Sequence, residues 1–348
     1  MRIKLVISTI STGIVLGLLA LLVWFASFRM LPSTAQVDKT KNEAIAVIAP
    51  SKEMDVSQIN FGQQIETYIL PNNQANYLPI RDFNIPDPDI GAKSAALYDI
   101  KSEKLLYSKD VNDKLPIASI TKLMTAVVVM ENLSLSDTYT VVPEDLNADG
   151  NGADFANGEK LKGGDLLKVM LIKSSNDAAL VFASNASQKG IDIVAKMNEK
   201  AGVLGMADTK FSDPAGLDDG DSFSTVSDLI KLVGYVDKYP VIWEILATRT
   251  ADVSSIDGKY THHLVSTDQL LGDVPGIIGG KTGFTNGALQ TMVLEVKVSA
   301  GDTTPAGGQG SISGGDDNRM IAVVLGSNDR FGEIKELVEW GRQAYSWQ

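Results

Sequence analysis

The longest apolar stretch of the chain lies at its N-terminus. Two basic residues precede an uncharged, mostly apolar run from Leu5 to Phe28. A run of roughly 20 apolar residues can span a bilayer, whereas signal peptides carry apolar regions of about 7–15 residues. We therefore expect residues 1–29 to form an uncleaved signal-anchor helix rather than a cleaved signal peptide. The positive residues precede the run, so the rest of the chain is expected outside the cytoplasm.

The pattern changes twice after this segment. Residues 30–85 are polar, rich in Asn and Gln and interrupted by prolines, which predicts an extracytoplasmic linker. The PDPD sequence at 86–89 marks the start of a domain that we expect to extend over residues 86–348.

Within residues 86–348, two hydrophobic periods alternate. A period of two and short apolar runs predict strands at 95–100, 104–108, 289–298 and 320–326. A helical period predicts helices over 119–132, 163–173, 176–187, 190–203 and 333–345. Because strands at both ends flank a helical middle, we expect a sheet built from both ends of the domain, with helices packed on it. The Gly-rich run at 299–318 is interpreted as an exposed hairpin loop.

Composition narrows the possible functions. The chain has 31 Lys and Arg against 43 Asp and Glu, and a net charge of -12 argues against nucleic acid as a partner. It has no cysteine, which excludes a thiol nucleophile and thiolate metal sites. The two histidines, His262 and His263, have no partner at metal-ligand spacing. We therefore expect neither a metal nor another cofactor.

Three short motifs carry the candidate chemistry: SITK at 119–122, SSN at 174–176 and KTG at 281–283. On a helix, Ser119 and Lys122 share one face, which brings the lysine amine to the hydroxyl. The flanking sequence is apolar on both sides, so Lys122 is expected to be buried. Each motif alone is weak, since such residues also serve as helix caps, turns or solvated surface pairs. Their order and spacing together indicate a site.

A serine hydroxyl needs a base with a pKa near 7 to become a nucleophile. No G-x-S-x-G elbow accompanies any serine, so Lys122 is the candidate base for Ser119. Its pKa would have to fall by roughly 3 from about 10.4, which burial and a second cation such as Lys281 can supply. Asn176 is then expected to hold Lys122 and the substrate amide, and Ser174 to pass a proton to the leaving group.

The region from about Lys93 to Tyr345 resembles the serine-type D-alanyl-D-alanine carboxypeptidases, which are low-molecular-mass penicillin-binding proteins. The three motifs carry this resemblance. So do three longer segments, AALYDIKSEKLLYSKDVNDKLPIASITKLMTA, FSDPAGLDDGDSFSTVSDL and RMIAVVLGSNDRFGEIKELVEWG. It implies an α/β fold of the β-lactamase type: an αβα sandwich, mainly antiparallel, with helices on both faces and a helical lobe.

The resemblance also implies an activity and a set of site residues. The enzyme would remove the terminal D-Ala from peptidoglycan stem peptides through an acyl-enzyme, and penicillin and other β-lactams would inhibit it. The catalytic residues implied are Ser119, Lys122, Ser174 and Asn176. The substrate-binding residues implied are Lys281, Thr282, Gly283, Phe284 and Arg319. In this set, the backbone N–H groups of Ser119 and Phe284 form the oxyanion hole, and Arg319 helps to hold the substrate carboxylate.

Three alternatives stay open. A D,D-endopeptidase that cuts peptidoglycan crosslinks would carry the same motifs. A class A β-lactamase needs a glutamate after the second motif, and the only glutamates between Asn176 and Lys281 are Glu199 and Glu244, neither in an E-x-x-L-N context. A catalytically silent cell-wall binding module would gain nothing from burying Lys122. Unlike many members of the family, the chain shows no second β-rich domain and no C-terminal amphipathic anchor, so anchoring is expected at the N-terminus.

Overall fold

The computed structural model describes residues 78–146, 150–218, 221–298 and 318–347. Its strands, numbered in chain order, are β1 Pro79–Arg81, β2 Ser94–Asp99, β3 Lys104–Lys109, β4 Thr138–Thr140, β5 Lys160–Lys162, β6 Thr250–Ser254, β7 Thr261–Val265, β8 Ile277–Thr285, β9 Leu289–Lys297, β10 Arg319–Ser327 and β11 Tyr345–Trp347. Its α-helices are α1 Thr121–Asn132, α2 Gly163–Ile172, α3 Asn176–Ser187, α4 Ile193–Val203, α5 Val226–Val236, α6 Pro240–Leu246 and α7 Arg330–Ala344. Short 3-10 helices cover Ala118–Ile120 and Pro143–Leu146.

Five strands form one antiparallel sheet in the order β3-β2-β10-β9-β8. The early hairpin β2–β3 pairs with the late strand β10, so both ends of the folded region meet in one sheet. This confirms the expectation from the sequence. The pairs β1–β11, β4–β5 and β6–β7 form separate two-stranded sheets.

Alternate residues of the central strand β10 contribute to two different cores. Ile321, Val323 and Leu325 pack in a cluster with residues from α1 to α6. Met320 and Ala322 pack in a second cluster with α7. Because successive side chains of a strand point to opposite faces, the sheet buries both faces. The result is an α/β sandwich with helices on both faces and a helical lobe on one side, as the resemblance implied.

Helix α1 lies in the interior of the helical lobe. Its residues from Thr121 to Val129 are buried, and it packs against α2, α3, α4 and α5. It contains neither glycine nor proline, which favours an uninterrupted helix. A helix without a solvated face is an expensive place for a charged side chain, and Lys122 lies in its first turn.

Most helices and strands expected from the sequence agree with the structure to within a few residues. The closing helix α7 begins at Arg330 rather than at 333, because the Asp329 side chain accepts a hydrogen bond from the Gly332 N–H and caps the helix. The hydrophobic pattern did not single out α5 and α6.

The predictions for the N-terminus lie outside the described residues, and so does nearly all of the loop expected at 299–318. On the linker side of position 86, strand β1 pairs with β11. Among the residues that the structure describes, no helix combines the length and the apolar character that a bilayer crossing requires.

Candidate active site

Ser119 lies in the 3-10 turn Ala118–Ile120, immediately before α1. Ala118 has a positive φ of 48°, a strained value for a residue with a side chain. Gly216 packs so closely here that a Cβ on it would lie 2.0 Å from the Ala118 carbonyl oxygen. The turn and the segment around Gly216 therefore hold the serine in a fixed position.

Lys122 is fully buried and its Nζ contacts three oxygens. The distances are 2.8 Å to Ser119 Oγ, 2.7 Å to Asn176 Oδ1 and 2.7 Å to the Ala215 carbonyl oxygen. Burial lowers the pKa of Lys122 to about 7, and the nearby Asp213 carboxylate acts in the opposite direction. The amine is therefore poised to accept a proton at neutral pH.

The Asp213 carboxylate organises the segment that carries one of these oxygens. It accepts hydrogen bonds from the backbone N–H groups of Ala215, Gly216 and Leu217. The sequence gave no warning of this role. Its signal is an aspartate followed by Pro and Gly, a combination typical of side-chain-capped turns.

The segment Ser174–Asn176 joins α2 to α3 and serves both the fold and the site. Ser175 caps α3 by accepting a hydrogen bond from the Ala178 N–H at 3.1 Å. Ser174 has a φ of 61° and turns its Oγ towards Lys281 Nζ, 2.7 Å away. Such backbone strain costs on the order of 1–3 kcal/mol and persists only where the surroundings fix it.

Strand β8 forms the opposite wall of the site. Lys281 is buried, and besides Ser174 its Nζ donates to the Thr282 carbonyl oxygen at 2.8 Å. Burial is the main cause that lowers the pKa of Lys281, with repulsion from Lys122 and Arg330 adding to it. The two lysines were expected to influence each other, but burial rather than Lys281 dominates the pKa of Lys122.

Gly283 is where β8 touches the 3-10 turn. A Cβ at this position would lie 2.4 Å from Thr291 Oγ1 and 3.0 Å from Ala118 Cβ. Only glycine lets the strand approach the turn that carries Ser119. Thr282 is fixed on the other side by a hydrogen bond of 2.6 Å between its hydroxyl and that of Thr267.

The site opens into a cleft of about 700 Å³, the size of a small-molecule or peptide site. The expected residues that line it are Ser119, Ser174, Asn176, Thr282, Gly283 and Phe284. Ser119 and Phe284, whose N–H groups were expected to form the oxyanion hole, thus border the same space. The Phe284 side chain is 60% exposed at the rim.

The expectation that Arg319 helps to hold a carboxylate in this cleft does not agree with the structure. Arg319 pairs with Glu295 and Asp237 at the start of β10, and it does not line the cleft. Arg330 lines the cleft instead, and its guanidinium donates to the Gly283 carbonyl oxygen at 3.0 Å. The overlooked signal was an arginine directly after the Asp329 cap, at the end of a buried strand.

A second overlooked residue is Asp268, which is 5% exposed. Its Oδ1 accepts a hydrogen bond from the Leu270 N–H, and its Oδ2 is buried without a partner next to Gly280. Burial raises its pKa, an effect that the charges of Lys281 and Arg330 oppose. Asp268 thus places one negative charge behind the cationic wall of the site.

Comparison with known proteins agrees with this geometry. The sequence profile of the family described as D-alanyl-D-alanine carboxypeptidase matches residues 82–303. The chain is 35% identical over 212 residues to D-alanyl-D-alanine carboxypeptidase DacB2 of Mycobacterium tuberculosis, covering 60% of this chain and 72% of that protein. It is 32% identical to the D-alanyl-D-alanine endopeptidase of Pseudomonas aeruginosa, covering 72% of this chain and 77% of that protein.

A similar solved structure is penicillin-binding protein D2 of Listeria monocytogenes in its ampicillin-bound form. It has a TM-score of 0.60 and 30% sequence identity, and the match covers 74% of this chain and 99% of that one.

Proposed function

Because the chain belongs to the D-alanyl-D-alanine carboxypeptidase family, we propose that it removes the terminal D-Ala from peptidoglycan stem peptides through an acyl-enzyme on Ser119. The observation that supports this most strongly is the set of partners of Lys122. A neutral lysine amine has two N–H groups and one lone pair. Asn176 Oδ1 and the Ala215 carbonyl oxygen accept the two N–H groups, so the lone pair is left for the Ser119 hydroxyl proton.

In the proposed reaction, Ser119 Oγ gives its proton to Lys122 Nζ and attacks the carbonyl carbon of the penultimate D-Ala. The backbone N–H groups of Ser119 and Phe284 stabilise the oxyanion that forms. The C–N bond then breaks, and the leaving amine takes a proton from Ser174 Oγ, which is replenished through Lys281 at 2.7 Å. Water hydrolyses the ester and releases the serine.

The substrate carboxylate requires cationic and hydroxyl groups near the leaving D-Ala. We assign it to Thr282 and Arg330, with Lys281 behind them. Arg330 is the only cation among the described residues that line the cleft. Arginine binds carboxylates well because its N–H groups can form two parallel hydrogen bonds.

β-Lactams are proposed to acylate the same serine. The Listeria relative was solved with ampicillin and a related structure with cefotaxime, and both share the fold over nearly their whole length. An endopeptidase activity on crosslinks is the second candidate, because relatives that are 32% identical carry that name. The β-lactamase and the silent wall-binding module remain behind it.

The membrane arrangement is also a proposal. Residues 1–29 would anchor the protein by a single span, and the catalytic region would lie outside the cytoplasmic membrane, where peptidoglycan is located. The support is the apolar run from Leu5 to Phe28 with its preceding positive charges.

The decisive experiment measures D-alanine release from a peptide ending in D-Ala-D-Ala by the full chain in detergent. Ser119→Ala should abolish release, whereas Ser136→Ala, an exposed serine outside the cleft, should not change it. Undiminished release by Ser119→Ala would refute the mechanism. A folded wild type that leaves this peptide intact but cuts a crosslinked dimer would establish the endopeptidase instead.

A further inference from the structure

One carboxylate in the cleft has no part in the chemistry above. Asp218 is the only acidic residue among the described residues that line the cleft, and it is exposed. Within the described part of the chain it forms no ion pair; its carboxylate accepts a hydrogen bond from the Gly287 N–H at 3.0 Å. The cleft is therefore bipolar, with Arg330 as its cation and Asp218 as its anion.

The hydrogen bond to Gly287 fixes where this carboxylate lies. Gly287 is in the turn between β8 and β9, beyond the last residue of β8, Thr285. A Cβ on Gly287 would come within 3.1 Å of Asp218 Oδ1, so the turn and the carboxylate are in close contact. Asp218 thus lies at the end of β8 that is far from Lys281.

Asp218 is also close to the nucleophile. It follows Gly216 by two residues, and Gly216 packs on Ala118 next to Ser119. Two residues of extended chain span at most about 7 Å. A side chain of the length of lysine, extending from a peptide bound at Ser119, can bridge a distance of this order.

The direction of the bound peptide follows from the site. Its C-terminal carboxylate lies towards Thr282 and Arg330, and its scissile carbonyl lies at Ser119 and Phe284. The residue that precedes D-Ala-D-Ala therefore extends towards Thr285 and the β8–β9 turn. This is the end of the cleft that Asp218 occupies.

We infer that Asp218 is a specificity-determining residue that binds a cationic amine on the side chain of the amino acid preceding D-Ala-D-Ala. The inference rests on the proposed function, because that function sets the direction of the peptide. A carboxylate held at one end of a groove attracts an ammonium group and repels an acidic side chain. The substrate class is a stem peptide whose third residue is a diamino acid with a free amine.

The test compares two peptides on the full chain: Nα-acetyl-L-Lys-D-Ala-D-Ala and its Nα,Nε-diacetyl form, which lacks the charge. We expect kcat/KM to favour the free amine by about two- to fivefold at low salt, the range for a partly exposed ion pair. The preference should shrink at high salt, because exposed charges are screened. Asp218→Asn should abolish it.

Asp221→Asn is the matched control. It removes the same charge three residues away, from an exposed aspartate that pairs with Lys210 and does not line the cleft. This variant should keep the preference. Equal use of both peptides by the wild type, or a preference that survives in Asp218→Asn, would overturn the inference and leave the carboxypeptidase standing. Failure to hydrolyse either peptide would instead remove the proposed function, and the inference with it.

Discussion

Replacing Asn176 by aspartate puts a negative charge at the oxygen that accepts a hydrogen bond from Lys122 Nζ at 2.7 Å. In the wild type the pKa of Lys122 is about 7. About three quarters of the amine is then neutral at pH 7.5. An opposite charge this close raises a lysine pKa by about one to three pH units. For a rise of about two, the neutral fraction at pH 7.5 falls to about 3% and acylation slows roughly 25-fold.

The assay is the rate of Ser119 acylation by a fluorescent penicillin, followed from about pH 6 to about pH 10. In the wild type the rate should rise with pH and its acid limb should have a midpoint near 7, because protonated Lys122 cannot take the serine proton. In Asn176→Asp the midpoint should move to higher pH. Asn112→Asp adds the same charge on the exposed surface and should leave it in place. An unmoved midpoint in folded Asn176→Asp would refute Lys122 as the base.

Three further predictions follow from the structure. The folded pKa of Lys122 lies below that of an unfolded lysine, so the unfolded state binds one more proton between about pH 7 and pH 10, and stability rises with pH there. Lys122→Met should reduce that slope by about 1.4 kcal/mol per pH unit in urea unfolding. Gly283→Ala should block acylation and destabilise by about 1–3 kcal/mol, whereas Gly234→Ala, where a Cβ meets nothing within 4 Å, should stabilise by about 0.5–1 kcal/mol. Arg330→Gln should raise KM for the peptide about 10- to 100-fold, and Arg319→Gln should lower stability without changing KM.

Each of these has an outcome that contradicts it. An unchanged pH slope in Lys122→Met would mean that the lysine is charged in the folded enzyme. Normal acylation by Gly283→Ala would show that β8 can move away from the 3-10 turn. A KM effect confined to Arg319→Gln would return the carboxylate to the start of β10.

The sequence identified the chemistry better than it identified the neighbours of that chemistry. Lys122 was recognisable because apolar residues surround it on a helix, and a buried lysine is costly without a role. The partner oxygen on Ala215 was not recognisable, because a backbone carbonyl carries no residue-type signal and lies far along the chain. Contacts between distant segments depend on packing that local periodicity does not encode.

The two arginines show the same limit at a finer scale. Arg319 and Arg330 flank strand β10, one at its start and one just after its end. In sequence, either could reach a substrate carboxylate. Register decides between them: Arg319 pairs with Lys297 at the end of β9 that is remote from Gly283, while Gln290, near the other end, faces Phe284. The strand order of the sheet was needed to read this.

The close approach of Gly283 and Gly216 to the serine-bearing turn also affects how such an enzyme can diversify. At both positions any added carbon atom meets fixed atoms, so nearly every mutation there is lethal to the site. The rim is different, since Phe284 and Asp218 are exposed and free to change. Adaptation is therefore channelled to the rim, which allows one inherited reaction centre to serve relatives named for trimming peptides and relatives named for cutting crosslinks.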